Sequence, residues 1–334
     1  MPLLLIKLFF SGLISFLITL FLIPLLRKIA VRLGVVDVPD GKIKQHEKVT
    51  PYLGGVGVYA GFISGLALVF PVENQLFFLL VGVTLLLFLG LIDDLVALRP
   101  YQKFFGQLLA AFCFLKGGLF LKEQFFYDFW YIGVLISLVW ILTIINAFNL
   151  VDVMDGLSSV IAINATVSFL IIALVCDCSS VALLLTSFLG PLLAFLWYNY
   201  PPAQIYLGDA GSLFIGGFLA TVPFLFRWSQ FTSMGYLAPA IILTIPLLEV
   251  TTLIVVRTYR GIPFYNASPD HFSIYLRKKG WSKPKILGYM VVVATALLLI
   301  TLSFLFDLIS LKTLVLLGLL GILVWYGILL RSPQ

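Results

Sequence analysis

The feature that most constrains this chain is a series of eleven continuous apolar runs, each about 20 residues long. A helix of about 20 apolar residues spans the hydrocarbon core of a bilayer, whereas a membrane β-barrel needs alternating segments of about ten residues. The sequence therefore predicts an all-α polytopic membrane protein with about eleven transmembrane helices. The predicted spans are 8–26, 52–70, 75–92, 104–121, 129–148, 157–175, 179–198, 210–226, 235–256, 286–306 and 309–329.

The composition excludes the soluble alternatives. Hydrophobic residues make up 61% of the chain and charged residues 11%. In average soluble proteins about 45–50% of residues are apolar and about 25% are charged. So few charges cannot cover a soluble globule, which excludes a cytosolic enzyme, a disulfide-rich secreted domain and a disordered chain. We predict a single integral-membrane domain over residues 1–334, surrounded by the lipid bilayer.

The distribution of lysine and arginine predicts the orientation. Eleven spans put the two termini on opposite sides and divide the loops into two sets. Sixteen of the 21 lysines and arginines belong to one set, which the positive-inside rule makes cytoplasmic. We expect the N-terminus outside and the C-terminus inside, and this rule explains the net charge of +6 without a nucleic-acid partner. The cytoplasmic loops are predicted at about 27–51, 93–103, 149–156, 199–209 and 257–285.

Carboxylates gather on the predicted cytoplasmic side. Five of them lie at the ends of apolar spans: Asp93, Asp94, Asp152, Asp155 and Asp209. Capping explains one acid at a helix start, but not the Asp93–Asp94 pair at a helix end, where the dipole disfavours negative charge. Carboxylates held near one another repel, so they favour a divalent cation or a shared proton. Few carboxylates suit Mg²⁺, which keeps waters and binds substrate phosphates as well. Together with the basic loops, they indicate metal-assisted phosphoryl transfer to or from an anionic substrate.

Three further details concern single acids. Asn149, Asp152 and Asp155 are three residues apart, so we expect them to share one face of a helical turn. Asp209 lies among small residues at a helix start, where free backbone N–H groups can receive an anion. Glu249 lies inside the ninth predicted span, where both a functional role and pairing with a neighbouring helix explain an ionisable group.

Six motifs follow one another along nearly the whole chain. They are Val36-Asp37-x-Pro39 with Lys44-x-His46, Pro51-x-x-Gly54-Gly55, Gly90-x-x-Asp93-Asp94, Asn146-Ala147-Phe148-Asn149-x-x-Asp152-x-x-Asp155-Gly156-Leu157, Gly208-Asp209-x-Gly211-Ser212 and Ser268-Pro269-Asp270. In this order the chain resembles the polyprenyl-phosphate N-acetylhexosamine-1-phosphate transferases. Eleven spans with an outside N-terminus resemble the N-acetylglucosamine-1-phosphate branch more than the peptidoglycan translocase, which has ten.

The resemblance implies a reaction and a place for it. Members transfer a sugar-1-phosphate from a UDP-sugar to a membrane polyprenyl phosphate, such as undecaprenyl phosphate, and release UMP. The implied location is the bacterial cytoplasmic membrane, with the active site on its cytoplasmic face, at the first membrane step of cell-envelope glycan synthesis. Mg²⁺ is the implied cofactor, with Mn²⁺ as the alternative ion. A monomer and a homodimer both stay open.

The resemblance also implies roles for individual residues. Asp209 is the main metal ligand, Asp93 engages the lipid phosphate as a base or as a nucleophile, and Asp94 supports Asp93. Asp152 and Asp155 hold the metal and the nucleotide region. The remaining implied contacts with substrate come from Asn149, a polar positioning residue, and from Lys44 and His46, which reach the phosphates.

One loop departs from the family pattern. Members carry a histidine cluster after the Ser-Pro-Asp motif, and this cluster is associated with nucleotide or pyrophosphate contact. Here His271 alone remains, with Arg277 nearby as a candidate phosphate ligand, although topology alone also explains this basic residue. Two rival functions follow. One is a transporter or flippase of polyprenyl-linked or nucleotide sugars, which would place acids near the bilayer midplane; the other is a non-catalytic relative.

Overall fold

The computed structural model describes residues 2–37, 49–67, 74–123, 129–261, 263 and 270–330. Within these ranges the chain folds almost entirely into helices, which confirms the predicted class. The helices are α1 (Pro2–Leu33), α2 (Gly54–Ala67), α3 (Asn74–Val96), α4 (Pro100–Lys116), α5 (Trp130–Val151), α6 (Leu157–Val175), α7 (Ser179–Asn199), α8 (Gly208–Thr221), α9 (Ala238–Ile242), α10 (Thr244–Tyr259), α11 (Phe272–Lys278), α12 (Lys283–Leu305) and α13 (Leu311–Leu330).

Short elements join some of these helices. The strands β1 (Val36–Asp37) and β2 (Thr50–Pro51) pair antiparallel, so that Val36 lies opposite Pro51. Between α8 and α9 the chain makes three short 3-10 turns, Val222–Leu225, Trp228–Gln230 and Gly235–Leu237.

Every predicted apolar run coincides with helix in the described residues. Eight helices are long and apolar enough to cross a membrane, and these are α1, α3, α5, α6, α7, α8 with the turn that follows it, α12 and α13. The pair α9 and α10 makes a bent ninth candidate, whereas α2 has 14 residues as described and α4 has 17. The protein is thus a polytopic membrane protein, and the count of eleven spans stays a prediction.

The ninth predicted span is broken rather than continuous. Helices α9 and α10 meet at an angle of 68° around Leu243. Pro246 has no backbone N–H, so it cannot donate to the carbonyl of Ile242, and its ring disfavours a straight helix at that carbonyl. The Thr244 hydroxyl instead donates to the carbonyls of Ala240 and Ile241, at 2.9 and 2.8 Å. The bend therefore follows from one proline.

Helix α8 is buried almost along its whole length and packs against α2, α3 and α5. Its first turn touches α3 at Gly90. A Cβ atom on Gly90 would lie 2.2 Å from the carbonyl oxygen of Asp209, so a larger residue would force the two helices apart. The glycine of the Gly90-x-x-Asp93-Asp94 motif thus brings the end of α3 to the start of α8.

The C-termini of two helices and the N-termini of two others meet at one end of the molecule, which we call the carboxylate end. There α3 and α5 end and α4 and α8 begin. Hydrogen bonds made by side chains of all four helices show that these ends lie together. At the remote end, α3 and α5 begin and α4 and α8 end. The predicted acids of these helices therefore converge at a single end.

Candidate active site

Four carboxylates from three helices form what we call the carboxylate cluster. Asp93 and Asp94 lie near the end of α3, Asp152 follows α5 directly, and Asp209 lies in the first turn of α8. Helix α4 adds Lys103 from its own first turn. The sequence analysis predicted these acids as one site, and the structure brings them together.

Asp94 caps a neighbouring helix. Its two carboxylate oxygens accept hydrogen bonds from the backbone N–H groups of Asp209 at 2.8 Å and Ala210 at 3.1 Å, in the first turn of α8. Helix N-termini favour negative charge, so Asp94 stabilises α8 although it lies near the unfavourable end of α3. Gly208 has a φ of 74°, and a Cβ atom there would lie 2.6 Å from Asp94. This contact explains the second acid of the Asp93–Asp94 pair.

Lys103 joins the other acids. Its ammonium group lies 2.9 Å from Asp93 Oδ2, contacts Asp209 Oδ2 and donates to Asn149 Oδ1 at 3.3 Å. The side-chain amide of Asn149 in turn donates to Asp209 Oδ1 at 2.7 Å and to Ser212 at 3.1 Å. Asn149 therefore orients Asp209, as a positioning residue would.

Sequence reasoning counted Lys103 only toward topology and missed its place in the site. One signal was present, because Lys103 and Gln107 are four residues apart and so share a face of an otherwise apolar helix. Gln107 makes two hydrogen bonds with Asn146 of α5, of 3.2 and 2.8 Å. This amide pair holds α4 against α5 one turn away from the contact between Lys103 and Asn149.

Asp152 lacks a cationic neighbour in the part of the chain that the structure describes. No hydrogen bond or ion pair of its side chain is found there, and it is half-buried. Burial, together with the negative charges of Asp209, Asp94 and Asp155, raises the pKa of Asp152 well above its ordinary value. A carboxylate in these surroundings is stabilised by a bound cation.

Asp155 points away from the cluster. It accepts hydrogen bonds from Lys283 at 2.7 Å, at the start of α12, and from the backbone of Ala203 at 3.2 Å. Helix α5 ends at Val151, and Gly156 starts α6 with a φ of 75°. Asn149, Asp152 and Asp155 therefore do not continue along one helical face, which differs from the expectation drawn from their spacing.

Two tyrosines that sequence reasoning missed lie beside the cluster. Tyr52 and Tyr206 have ring centroids 6.1 Å apart, and the backbone N–H of Tyr206 donates to the carbonyl of Pro51 at 2.8 Å. Burial, followed by the negative charge of Asp37, raises the pKa of Tyr52, and Asp94 and Asp209 add to this shift. Burial also raises the pKa of Tyr206 to about 12.

Comparison with known proteins gives this site a family. The sequence profile of Glycosyl transferase family 4 matches residues 76–226, which contain the whole carboxylate cluster, Lys103 and Asn149. A Bacillus subtilis (strain 168) protein named "Probable undecaprenyl-phosphate N-acetylglucosaminyl 1-phosphate transferase" is 30% identical over 281 residues, which cover 81% of this chain and 77% of that protein. The chain belongs to glycosyl transferase family 4.

A second relative is matched over a larger share of its own length. The Thermotoga petrophila (strain ATCC BAA-488 / DSM 13995 / JCM 10881 / RKU-1) "Phospho-N-acetylmuramoyl-pentapeptide-transferase" is 29% identical over 301 residues, which cover 83% of this chain and 93% of that protein. Both relatives of this family 4 protein carry the names of sugar-phosphate transferases. The family resemblance that the motifs indicated is thus confirmed.

Outside the profile match, His271 joins a different set of charges. Its Nδ1 atom lies 2.9 Å from Glu249 Oε1, and the backbone N–H of Phe272 donates to the same carboxylate at 3.3 Å. Asp270 pairs with Arg260 at 2.6 Å. Arg277, which is exposed, donates to the backbone carbonyl of Trp281 at 3.1 Å.

The structure therefore does not bring every predicted site residue to the carboxylate cluster. In the described residues, neither His271 nor Arg277 contacts it. Lys44 and His46 lie outside the described residues, so their predicted contacts with phosphate stay predictions. Glu249, for which both a functional role and helix pairing were open, pairs with the start of α11.

Proposed function

We propose that this family 4 protein transfers a sugar-1-phosphate, of the N-acetylhexosamine type, from a UDP-sugar to a membrane polyprenyl phosphate and releases UMP. The names of both relatives support transfer of a phosphate-linked N-acetylated sugar, and the name of the Bacillus subtilis relative supports a polyprenyl phosphate as the acceptor. The observation that carries the proposal is the carboxylate cluster with its single described cation, Lys103, at one end of the helices. Such a cluster suits a reaction between two phosphate-bearing substrates, which needs added positive charge.

Mg²⁺ fits the donor set of this site. Asp209 and Asp152 would hold the ion, because both are carboxylates of the cluster and Asp152 has no described cationic partner. Although no three metal-ligating acids, histidines or cysteines converge in the described residues, Mg²⁺ needs only one or two carboxylates when waters and substrate phosphates complete its shell. When bound, it neutralises charge that develops on the leaving phosphate. We expect Mn²⁺ to replace it.

The protein's own groups have separate tasks in the proposed reaction. A phosphate oxygen of the lipid attacks the sugar-linked phosphorus of the donor, one phosphorus–oxygen bond forms, and the bond to UMP breaks. Lys103 lies between Asp93 and Asp209, where its ammonium group can attract both anionic substrates. Asp93 faces the lipid phosphate, while Asp94 holds the start of α8 and Asn149 orients Asp209.

We further propose that the chain crosses the cytoplasmic membrane of a bacterium eleven times, with the N-terminus outside. The excess of lysine and arginine in one set of loops supports this orientation. It puts the carboxylate cluster at the cytoplasmic boundary, where a lipid phosphate lies at headgroup level and a nucleotide sugar arrives from the cytosol. Insertion of a reporter after Asp307 and after Arg99 would test it, because these two loops are expected on opposite sides of the membrane.

The decisive test is UMP release by the detergent-purified full chain. The assay combines undecaprenyl phosphate, Mg²⁺ and a panel of UDP-sugars, with EDTA and Asp209→Asn as controls. We expect release that needs the lipid, the metal and Asp209, with one N-acetylhexosamine donor preferred. A flippase or a non-catalytic relative would release no UMP from any donor, and that result in folded protein would contradict the proposal.

A further inference from the structure

A cavity of about 770 Å³ lies at the remote end of the molecule. Its lining includes Gln75 at the start of α3, Trp140 in the middle of α5 and Ala240 in α9. From Gln75 to Asp93 the helix rises roughly 27 Å at about 1.5 Å per residue, so this cavity is separate from the carboxylate cluster. Its volume lies within the range of about 300–1,000 Å³ that is usual for small-molecule sites.

The wall of the cavity is held by hydrogen bonds of its own side chains. The Ser137 hydroxyl accepts from the backbone N–H of Leu121 at 2.8 Å, and Trp140 Nε1 donates to the carbonyl of Ala220 at 3.0 Å. Glu123 accepts from the backbone N–H of Trp228 at 3.2 Å, which joins the segment after α4 to the segment after α8. These contacts make a shaped site with an aromatic interior.

Two cations line this cavity, Lys122 and Arg227. Neither forms an ion pair within the described part of the chain, where Glu123 is the one acid of the lining. Only five of the 21 lysines and arginines belong to this side of the membrane by the predicted topology. Basic residues are disfavoured there, so the meeting of two of the five at one apolar cavity calls for a ligand with negative charge.

We propose that this cavity binds an anionic glycerophospholipid of the leaflet opposite the carboxylate end. Lys122 and Arg227 receive the phosphate group, since both side chains are phosphate ligands, while one of the two acyl chains lies along the aromatic interior near Trp140. A soluble anion would not use this interior, and a zwitterionic lipid would gain less from two cations. The inference concerns a second site and does not depend on the proposed reaction.

The test is native mass spectrometry of the purified full chain with phosphatidylglycerol or phosphatidylcholine. We expect phosphatidylglycerol to be retained preferentially, and Lys122→Gln with Arg227→Gln to weaken its binding about 30-fold, because each basic residue contributes about fivefold near an anionic lipid. Lys7→Gln with Lys312→Gln is the matched control, since it removes two exposed cations of the same face that do not line the cavity. This control should bind like the unchanged protein.

A second variant removes space instead of charge. Ala240→Trp puts an indole ring into the space proposed for the acyl chain while both cations stay, so we expect it to weaken lipid binding as well, with a thermal melt checking that each variant is folded. The proposal would be overturned if Lys122→Gln with Arg227→Gln and the matched control lost phosphatidylglycerol binding equally. Equal retention of phosphatidylcholine would also overturn it, as would displacement of phosphatidylglycerol from the site by polyprenyl phosphate, because that lipid would then be the ligand.

Discussion

Among the described residues, two groups of buried and half-buried charges between helices differ in charge balance. Between α10 and α11, the carboxylates of Glu249 and Asp270 have Arg257, Arg260 and His271 around them. At the carboxylate end, four acids share one described cation, and the members of that set are Asp93, Asp94, Asp152, Asp209 and Lys103.

This difference in charge balance distinguishes a group of charges that stabilises the fold from a group that forms a candidate active site. A buried charge without a partner loses several kcal/mol of hydration, so a balanced network can stand alone, whereas an unbalanced one requires another cation or bound protons. The histidine of the family motif lies in the balanced group here. We therefore expect chemistry at the unbalanced group, and the predictions below compare matched changes in the two.

The largest effect is expected from Asp209→Asn. Loss of this carboxylate removes the main proposed metal ligand, so turnover should fall about 10³-fold, the size of several kcal/mol of lost charge stabilisation. Asp270→Asn is the matched control in the balanced group: it should lower the melting temperature but keep turnover per folded molecule. UMP release measured beside a thermal melt separates these outcomes, and equal losses of turnover would refute the comparison.

Lys103→Gln should lower turnover and, at the same time, tighten Mg²⁺ binding. Turnover is expected to fall about 10²-fold, because the ammonium group between Asp93 and Asp209 no longer stabilises the phosphates. The Mg²⁺ concentration for half-maximal rate should decrease at least about fivefold, since removing the positive charge that contacts Asp93 and Asp209 favours metal binding by about 1 kcal/mol or more.

Titration of Mg²⁺ in the UMP assay checks both parts. Lys283→Gln is the control, because Lys283 pairs with Asp155 outside the cluster. It should leave the Mg²⁺ dependence unchanged. If Lys103→Gln weakened Mg²⁺ binding instead, the main role of Lys103 would be to hold the carboxylates in position. Its charge would then not compete with the metal for them.

The sequence predicted the helices, because apolar runs are local patterns, and it marked five acids, of which the structure brings four together while Asp155 pairs with Lys283. Apolar runs mark the helices, and glycines such as Gly90 and Gly208 mark close approaches to Asp209 and Asp94. The role of Lys103 could not be predicted from its neighbours, since it depends on how α4 packs against α5. The partner of His271 is likewise a residue 22 positions away, on a helix that Pro246 bends.

The amide pair between α4 and α5 offers a sharper test of that packing. Gln107→Leu should leave the half-buried side-chain amide of Asn146 with only its hydrogen bond to the carbonyl of Leu142, and should lower turnover about tenfold, since Lys103 lies one turn away. The exchange Gln107→Asn with Asn146→Gln keeps the combined length of the pair. We expect it to restore most of the turnover, as measured by UMP release. Failure of the exchange, in protein that melts normally, would argue against positioning by this pair.

The smallest effect on the reaction is expected from Arg277→Ala, although this residue is the candidate phosphate ligand in the loop that lacks the family's histidine cluster. The guanidinium group is exposed and bonds the carbonyl of Trp281, while Phe272 at the start of the same helix stacks on Trp325 at 3.6 Å. Helix α11 is thus fixed to α13 and not to the carboxylate cluster. The donor KM should change by no more than about twofold, as for a surface substitution of about 0.5 kcal/mol. A tenfold rise in donor KM would instead indicate that α11 contacts the donor nucleotide. The balanced group of charges would then be part of the active site.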